Sequence, residues 1–370
     1  MKRSSVVAIA AGVALLTVAG CTSSHTGTNT GGKTQDGGKI TMAIESDPGK
    51  INPITNATQA GQEVAAFTYE SLLSFAQDKQ PIGGLADSWE ITTTQAVFTL
   101  KKGIICSDGT PMKASDVAAT FAYAAEPATG SPYKGVFFPA KELKVTPDDA
   151  AGTVTFVAPQ PQSFLAQTLG ALPIVCAAGL KNPSALDSKA FGTGPYTLTS
   201  SSPGQSYTFT LRDDYTWGPD GVTSKTAGLP KTVVAQVVAK TSTRANLLQS
   251  DGLQLASVSG TDRNRLGSTK FAKQVSLDRR PGLVFFNQAS GRPGHDLGVR
   301  QAIAAAIDRK AVGSVSSEGH GEQIVNLVPS YPSICPGVDS SAALPTFDTD
   351  KAKQLLDQAQ TSSSSDRMAL

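Results

Sequence analysis

Histidine is scarce in this chain of 370 residues. Only His25, His295 and His320 occur, which leaves a Ser-His-Asp site poorly supplied. The four cysteines form no CxxC pair and no HExxH string is present, so metal ligation lacks its usual spacing. There is also no GxSxG nucleophile elbow. These absences argue against a hydrolase and give no reason to expect a cofactor or a metal. Aromatic residues make up 6% and tryptophan occurs twice, little from which to build a stacking platform for sugars. An excess of one charge is missing as well. The formal charge of +2 is accounted for by Lys2 and Arg3, and without them 30 basic residues face 30 acidic ones. That balance excludes the strongly basic surface expected of a nucleic-acid partner or of a polybasic membrane patch. Beyond the N-terminus no apolar run approaches the roughly 20 residues of a membrane span.

What is present begins at that N-terminus. Lys2 and Arg3 precede an apolar run from Val6 to Val18, which ends in Val18-Ala19-Gly20-Cys21. A positive start, a short apolar stretch and a small-residue cleavage site describe an export signal over residues 1–20. The four-residue string resembles a bacterial lipobox. Cys21 is therefore expected to carry lipid and to anchor the chain to the cell membrane from outside the cytoplasm; an ordinary signal with an incidental cysteine is the alternative. Residues 21–38 are rich in Ser, Thr and Gly and read as a flexible tether. Within them Gly27 to Thr34 matches GxxxxGK[ST] letter for letter. A phosphate loop needs a buried strand before it and a helix after it, and neither flank is here.

Cys106, Cys176 and Cys335 remain in the exported part, where thiols can oxidise. Cys106 follows a strand-like run and Cys176 follows an apolar segment ending at Val175. A Cys106–Cys176 disulfide and two buried free thiols are both open readings. Cys335 is left over, and an odd cysteine in an exported protein needs a reason.

Alternation marks a first strand at Lys39 to Ile44. Near-helical spacing of Val64, Ala65, Phe67, Leu72 and Leu73 points to a helix over Gln59 to Phe75. Trp89 to Ile91 and Val97 to Leu100 read as a hairpin. Ala114-Ser115-Asp116 reads as the cap of a helix over Val117 to Ala125. A strand pair is expected at Leu143 to Val145 and Val154 to Val157, turning around Pro147 to Asp149, with a short helix over Ser163 to Leu169. Gly192-Thr193-Gly194-Pro195 introduces a strand at Tyr196, and further strands are expected at Tyr207 to Leu211 and Val233 to Val238. Helices are expected at Thr243 to Ser250, Gly298 to Asp308 and Asp350 to Gln358, the last followed by a low-complexity tail from Thr361. The mixture is α+β rather than a regular βαβ repeat.

Several of these strings in this order resemble the extracellular solute-binding proteins of family 5, the peptide, dipeptide and nickel receptors of ABC importers. They are Leu85-Ala86-Asp87-Ser88-Trp89-Glu90, Phe98 to Gly103 running into Ser107 to Pro111, Ala114 to Val117, Gly192 to Tyr196, and Val299 to Ile303 with Ala306 to Arg309. The resemblance implies a two-lobed periplasmic-binding-protein-like clamp with an inserted extra domain. Lobe I would combine residues 39–59 with 190–281, the inserted domain would span 60–189, and residues 282–370 would be a partial lobe II. Family members continue well past the last helix, so the second lobe is expected to be incomplete. The resemblance also implies that the loop Glu45, Ser46, Asp47 touches the ligand backbone. Ser131-Pro132-Tyr133 is similar to a segment that supplies an aromatic wall, and a half-exposed surface ring is the competing reading for Tyr133.

Other strings carry less. Ser131 to Lys134 satisfies SxxK, yet Gly130 and Pro132 place it in a loop, where the lysine cannot stand one helical turn after the serine. Asp148-Asp149 and Asp213-Asp214 read as turns. Arg279-Arg280 reads as a solvated hinge surface or an anion contact, and Arg300 as a helix-opening residue bonded to nearby backbone or a carboxylate. The expected protein is thus a monomeric, lipid-anchored receptor with no chemistry of its own. It would capture short peptides outside the cell and deliver them to a permease and ATPase complex. A nickel-chelate or sugar receptor, a non-transport surface lipoprotein, and a serine hydrolase are the alternatives, in falling order.

Overall fold

The computed structural model describes residues 37–75, 81–139, 142–267, 284–317, 319 and 341–368, with Ala343 and residues 360–368 described by backbone alone. The expected signal, Cys21, the tether's first sixteen positions with the phosphate-loop-like string, Arg279 to Pro281 and Cys335 lie outside the described residues.

Strand β1 (Lys39–Ile44) runs parallel to β10 (Thr232–Val237). β10 pairs antiparallel with β9 (Ser206–Leu211), and β9 with β8 (Tyr196–Ser202). On the other side of β1, Met42 bridges Leu255 in the parallel sense, with Ala43 N–H donating to the Leu255 carbonyl at 2.9 Å. Being flanked on both sides, β1 buries Met42, Ala43 and Ile44 in succession instead of alternating. Helix α1 (Gln59–Thr68) is capped by Thr58, whose hydroxyl accepts from Gly61 N–H at 3.1 Å. Its Phe67 ring stacks on Phe209 at 4.9 Å and meets Tyr196 edge-on at 5.7 Å, seating the helix on the sheet.

The helix expected to reach Phe75 ends at Thr68. Tyr69 is extended, and its hydroxyl accepts from the Phe191 amide at 3.0 Å. Leu73 instead opens β2 (Leu73–Phe75), paired with β3 (Pro81–Gly83). The chain at 192–194 lies so close that a Cβ on Gly192 or Gly194 would collide with the carbonyls of Thr68 and Phe67. Glycine at both positions is what lets the strand β8 start against the end of α1.

A second antiparallel sheet has the order β4 (Ala86–Ile91), β5 (Gln95–Leu100), β7 (Thr153–Val157) and β6 (Lys144–Asp148). Alternation along β5 and β7 sends Phe98 and Phe156 inward, where the two rings meet edge-on and Phe156 meets Phe121 of helix α2 (Ala114–Ala125). This helix begins three residues before the sequence reading. Asp116 is its third residue and caps it from within the helix, accepting from the N–H of the N-cap Lys113 at 2.9 Å, while Ser115 donates to Asp149 through both N–H and hydroxyl. The turn expected around Pro147 is also displaced: Pro147 lies within β6 opposite Val154. β6 is the sheet edge, the place in a sheet where proline is tolerated. The short helices α3 (Leu165–Gly170) and α4 (Ala177–Lys181) follow, and Cys106 is joined to Cys176, just before α4, by a disulfide with Cα atoms 6.1 Å apart.

Helices α5 (Thr241–Gln249) and α6 (Thr261–Leu266) follow β10. Further on come α7 (Leu297–Ala306), α8 (Arg309–Ser316) and α9 (Thr349–Met368), with Ala302 and Ala305 of α7 and Ala352 of α9 buried. Arg300 donates to the carbonyls of Gly294 and His295, as expected for a residue bonded to nearby backbone. The backbone of α9 continues ten residues beyond Gln358, through the serine run read as a tail. Serine costs about half a kcal/mol per helical position, but extension of an existing helix gains a hydrogen bond per residue fixed.

Candidate ligand-binding site

Three chain segments run parallel and end side by side: β1, β10, and the segment bridged to β1 at Leu255. In open sheets with parallel strands, ligands settle outside the carboxyl ends of those strands. Here those ends are Glu45 to Asp47, Val238 to Thr241, and Ala256 to Ser257.

One side chain joins all three. Arg244, from the first turns of α5, is 2% exposed. Its Nε donates to the Ser257 carbonyl at 2.7 Å, and Nη1 to the carbonyls of Val238 and Ala239 at 2.8 and 2.9 Å. Its Nη2 donates to Thr241 Oγ1 at 3.1 Å and to Glu45 Oε1 at 3.4 Å. All five guanidinium N–H groups therefore have acceptors. The cation is held mainly by carbonyl dipoles, with one carboxylate as its counterion.

The loop after β1 is fixed from two more directions. Asp47 accepts from the amides of Gly49 (2.6 Å) and Gly204 and from the Tyr207 hydroxyl (3.1 Å), tying the loop to the turn between β8 and β9. Burial pushes the Asp47 carboxyl up, but these three donors outweigh it and hold it below the ordinary aspartate value. Its own burial, and then the contact with Asp47, push the Tyr207 hydroxyl up to about 12. From behind, Asn56 Nδ2 donates to the Pro48 carbonyl at 2.9 Å, while the Asn56 carbonyl accepts from Tyr133 Oη at 3.2 Å and from Gln62 at 2.9 Å.

Of the residues singled out in the sequence, Glu45, Ser46 and Asp47 thus lie at the strand ends, with Ser46 exposed. Tyr133 does not present a half-exposed ring. It is 6% exposed, stacked on Phe137 at 4.9 Å, and its hydroxyl is engaged by Asn56 and Gln62. Its connection to the loop runs through Asn56, because the apolar interior of the 60–189 segment claims the ring. The SxxK serine donates to the Ile54 carbonyl at 2.8 Å and Lys134 to the Ala125 carbonyl at 2.8 Å, so the two do not form a nucleophile and base.

A second polar group lies away from the strand ends, where the chain between α1 and β2 meets the segment that follows β9. Glu70 accepts from Tyr215 Oη at 2.6 Å and Trp217 Nε1 at 2.8 Å. Burial pushes its carboxyl above the ordinary glutamate value against those hydrogen bonds. Arg212, its guanidinium 5.2 Å over the Trp217 ring, donates to Asp214 and to the Cys106 carbonyl. An open groove of about 410 Å³ beside this seam is lined by Asp108, Lys189, Phe191 and Leu198 among others, and by none of the strand-end residues.

Sequence reasoning missed Arg244. Its helix shows no apolar period, and its partners are backbone carbonyls plus a carboxylate 199 positions away. Only Gly and Ser/Thr punctuation around a strand end could have hinted at it.

A profile described as "Bacterial extracellular solute-binding proteins, family 5 Middle" matches residues 80–369. Among curated proteins, "Protein XP55" of Streptomyces lividans is 27% identical over 332 residues, which cover 86% of this chain and 57% of that protein. A probable D,D-dipeptide-binding periplasmic protein of Escherichia coli K12 is 25% identical, with 85% of this chain and 61% of that protein covered. The chain therefore spans about three-fifths of the length of these curated relatives. Among solved structures, a substrate binding protein from Microbacterium hydrocarbonoxydans complexed with 4-hydroxybenzoate hydrazide superposes with a TM-score of 0.67 at 26% identity, covering 87% of this chain and 72% of the other. The periplasmic binding protein DppA from Helicobacter pylori, in complex with the peptide STSA, gives 0.67 at 22% identity, covering 87% and 66%, a likeness of fold.

Proposed function

The chain belongs to the bacterial extracellular solute-binding proteins of family 5, and from that premise we propose that it captures short peptides outside the cytoplasm as the substrate-binding component of an ABC importer. The observation that carries this reading is the rim of three parallel strand ends, fixed by Arg244 and Asp47, which offers main-chain groups at Glu45 to Asp47 and beside Ser257 to an extended ligand. Main-chain pairing suits peptides of varied side chains, because every peptide carries the same amide groups. Two relatives with peptide-binding names or ligands support it.

The proposal includes residues 39–59 and 190–281 as lobe I, 60–189 as an inserted domain and 282–370 as part of lobe II. It also includes a lipid anchor at Cys21, a monomeric state, and delivery to a permease with its ATPase. Ligand would act by binding the closed arrangement more tightly than the open one. The chain itself would carry out no reaction.

Thermal unfolding with and without a pool of di- and tripeptides tests the reading. Binding to the folded state at a hundred times the dissociation constant adds about 2.7 kcal/mol, enough to raise the midpoint by several degrees. An unchanged midpoint with peptides, together with a rise for a non-peptide solute such as the hydrazide carried by the Microbacterium relative, would replace peptides as the ligand class.

A further inference from the structure

We propose that Arg244 is the positioning residue of the ligand rim: it sets the geometry of the three strand ends without touching ligand. The inference rests on the peptide-receptor reading for its effect on affinity, and on the hydrogen-bond pattern for its effect on the rim.

The side chain is buried, and a buried cation is destabilising unless its surroundings compensate. Its counterion, Glu45, is half-exposed and stands at 3.4 Å, too far for a strong ionic contact. Most of the compensation comes from the carbonyls of Val238, Ala239 and Ser257 at 2.7 to 2.9 Å. An apolar side chain filling the same space would leave those carbonyls without this donor and could not tie the ends of β1, β10 and the Leu255 segment together. A planar fork with five donors reaches five acceptors on these ends at fixed angles, whereas lysine has three donors on a flexible stem. The contacts span residues 45, 238, 239, 241 and 257, so one side chain couples segments whose backbone pairing to one another, among the described residues, ends at Ile44, Val238 and Leu255.

The test uses Arg244→Lys and Glu45→Gln in the full chain, with hydrogen exchange followed by mass spectrometry and trialanine as the binding probe. For Arg244→Lys the account expects amide exchange to rise about tenfold together in 45–48, 238–241 and 255–258, with β8 and β9 unchanged, and trialanine affinity to fall about tenfold. For Glu45→Gln it expects faster exchange in 45–48 alone. A merely structural arginine would raise exchange across the whole sheet in step with a lower unfolding midpoint, and that result overturns the proposal. Unchanged exchange at 45–48 and 255–258 overturns it too. If the unsubstituted chain binds no trialanine, the peptide reading fails, while the exchange pattern still decides the role of Arg244. If it binds trialanine and Arg244→Lys binds equally well, the positioning role fails and the peptide reading stands.

Discussion

Asp47 and Glu70 are both carboxylates locked by hydrogen bonds, yet their environments push them in opposite directions. Asp47, near the surface, receives three donors and is held below the ordinary value. Its contribution to stability is present above about pH 4, the unfolded range, and is lost as pH falls through the lowered folded value. Asp47→Asn should cost about 1 kcal/mol at neutral pH in urea unfolding, with the difference from the unsubstituted chain closing in acid. Glu70 is raised by burial, so its contribution is full below the unfolded value and is lost as pH rises through the folded one. Glu70→Gln, which cannot ionise, should flatten that part of the stability profile. A profile still falling with the same slope in Glu70→Gln would assign it to another group. Neither environment is legible in the sequence. Asp47 sits in an Asp-Pro-Gly string that announces a turn, but its acceptor role toward Gly204 and Tyr207 depends on residues some 160 positions on.

At the scale of elements, the local chemistry was readable where one segment suffices. The bounds of β1 follow from alternation ended by a Pro-Gly loop, and β9 and β10 came within a residue of their observed limits. Errors arose where a distant segment decides. The apolar period of α1 runs on through Leu72 and Leu73, and only the close approach of Gly192 and Gly194 shows why the helix stops at Thr68. Asp116 is chemically a capping residue, and pattern alone did not distinguish the cap from the third helical position. The disulfide is an element-scale tie of the same distant kind, closing a separation of 70 residues between the loop at Cys106 and the start of α4. Replacing both cysteines with serine should lower stability by about 2–4 kcal/mol, measured by urea unfolding under non-reducing conditions. A reductant should bring the unsubstituted chain to a similar midpoint and leave the double variant unmoved.

At the scale of the molecule, three apolar clusters are distinguishable among the described residues, one around Phe98, Phe121 and Phe156, one around Ile44, Tyr207 and Phe209, and a small one of Ala43, Val238 and Leu253. Tyr215 and Trp217 pack into the first cluster, and their polar atoms, with Arg212, tie it to Glu70 and to the Cys106 carbonyl by directed bonds. The proposed ligand rim belongs to the second cluster's sheet, and Tyr133 is linked to its first loop through Asn56. The family was legible in five ordered strings; the rim's scaffold was not, because Arg244 acts on carbonyls that every residue possesses. The most direct test of the account is a cross-linking map with a tripeptide carrying a photoreactive benzoylphenylalanine, digested and read by mass spectrometry. The account predicts adducts at Glu45 to Pro48 and around Ala256 to Ser259, suppressed by excess trialanine. Competed adducts confined to the groove around Asp108, Lys189 and Phe191, with none at the strand ends, would contradict it.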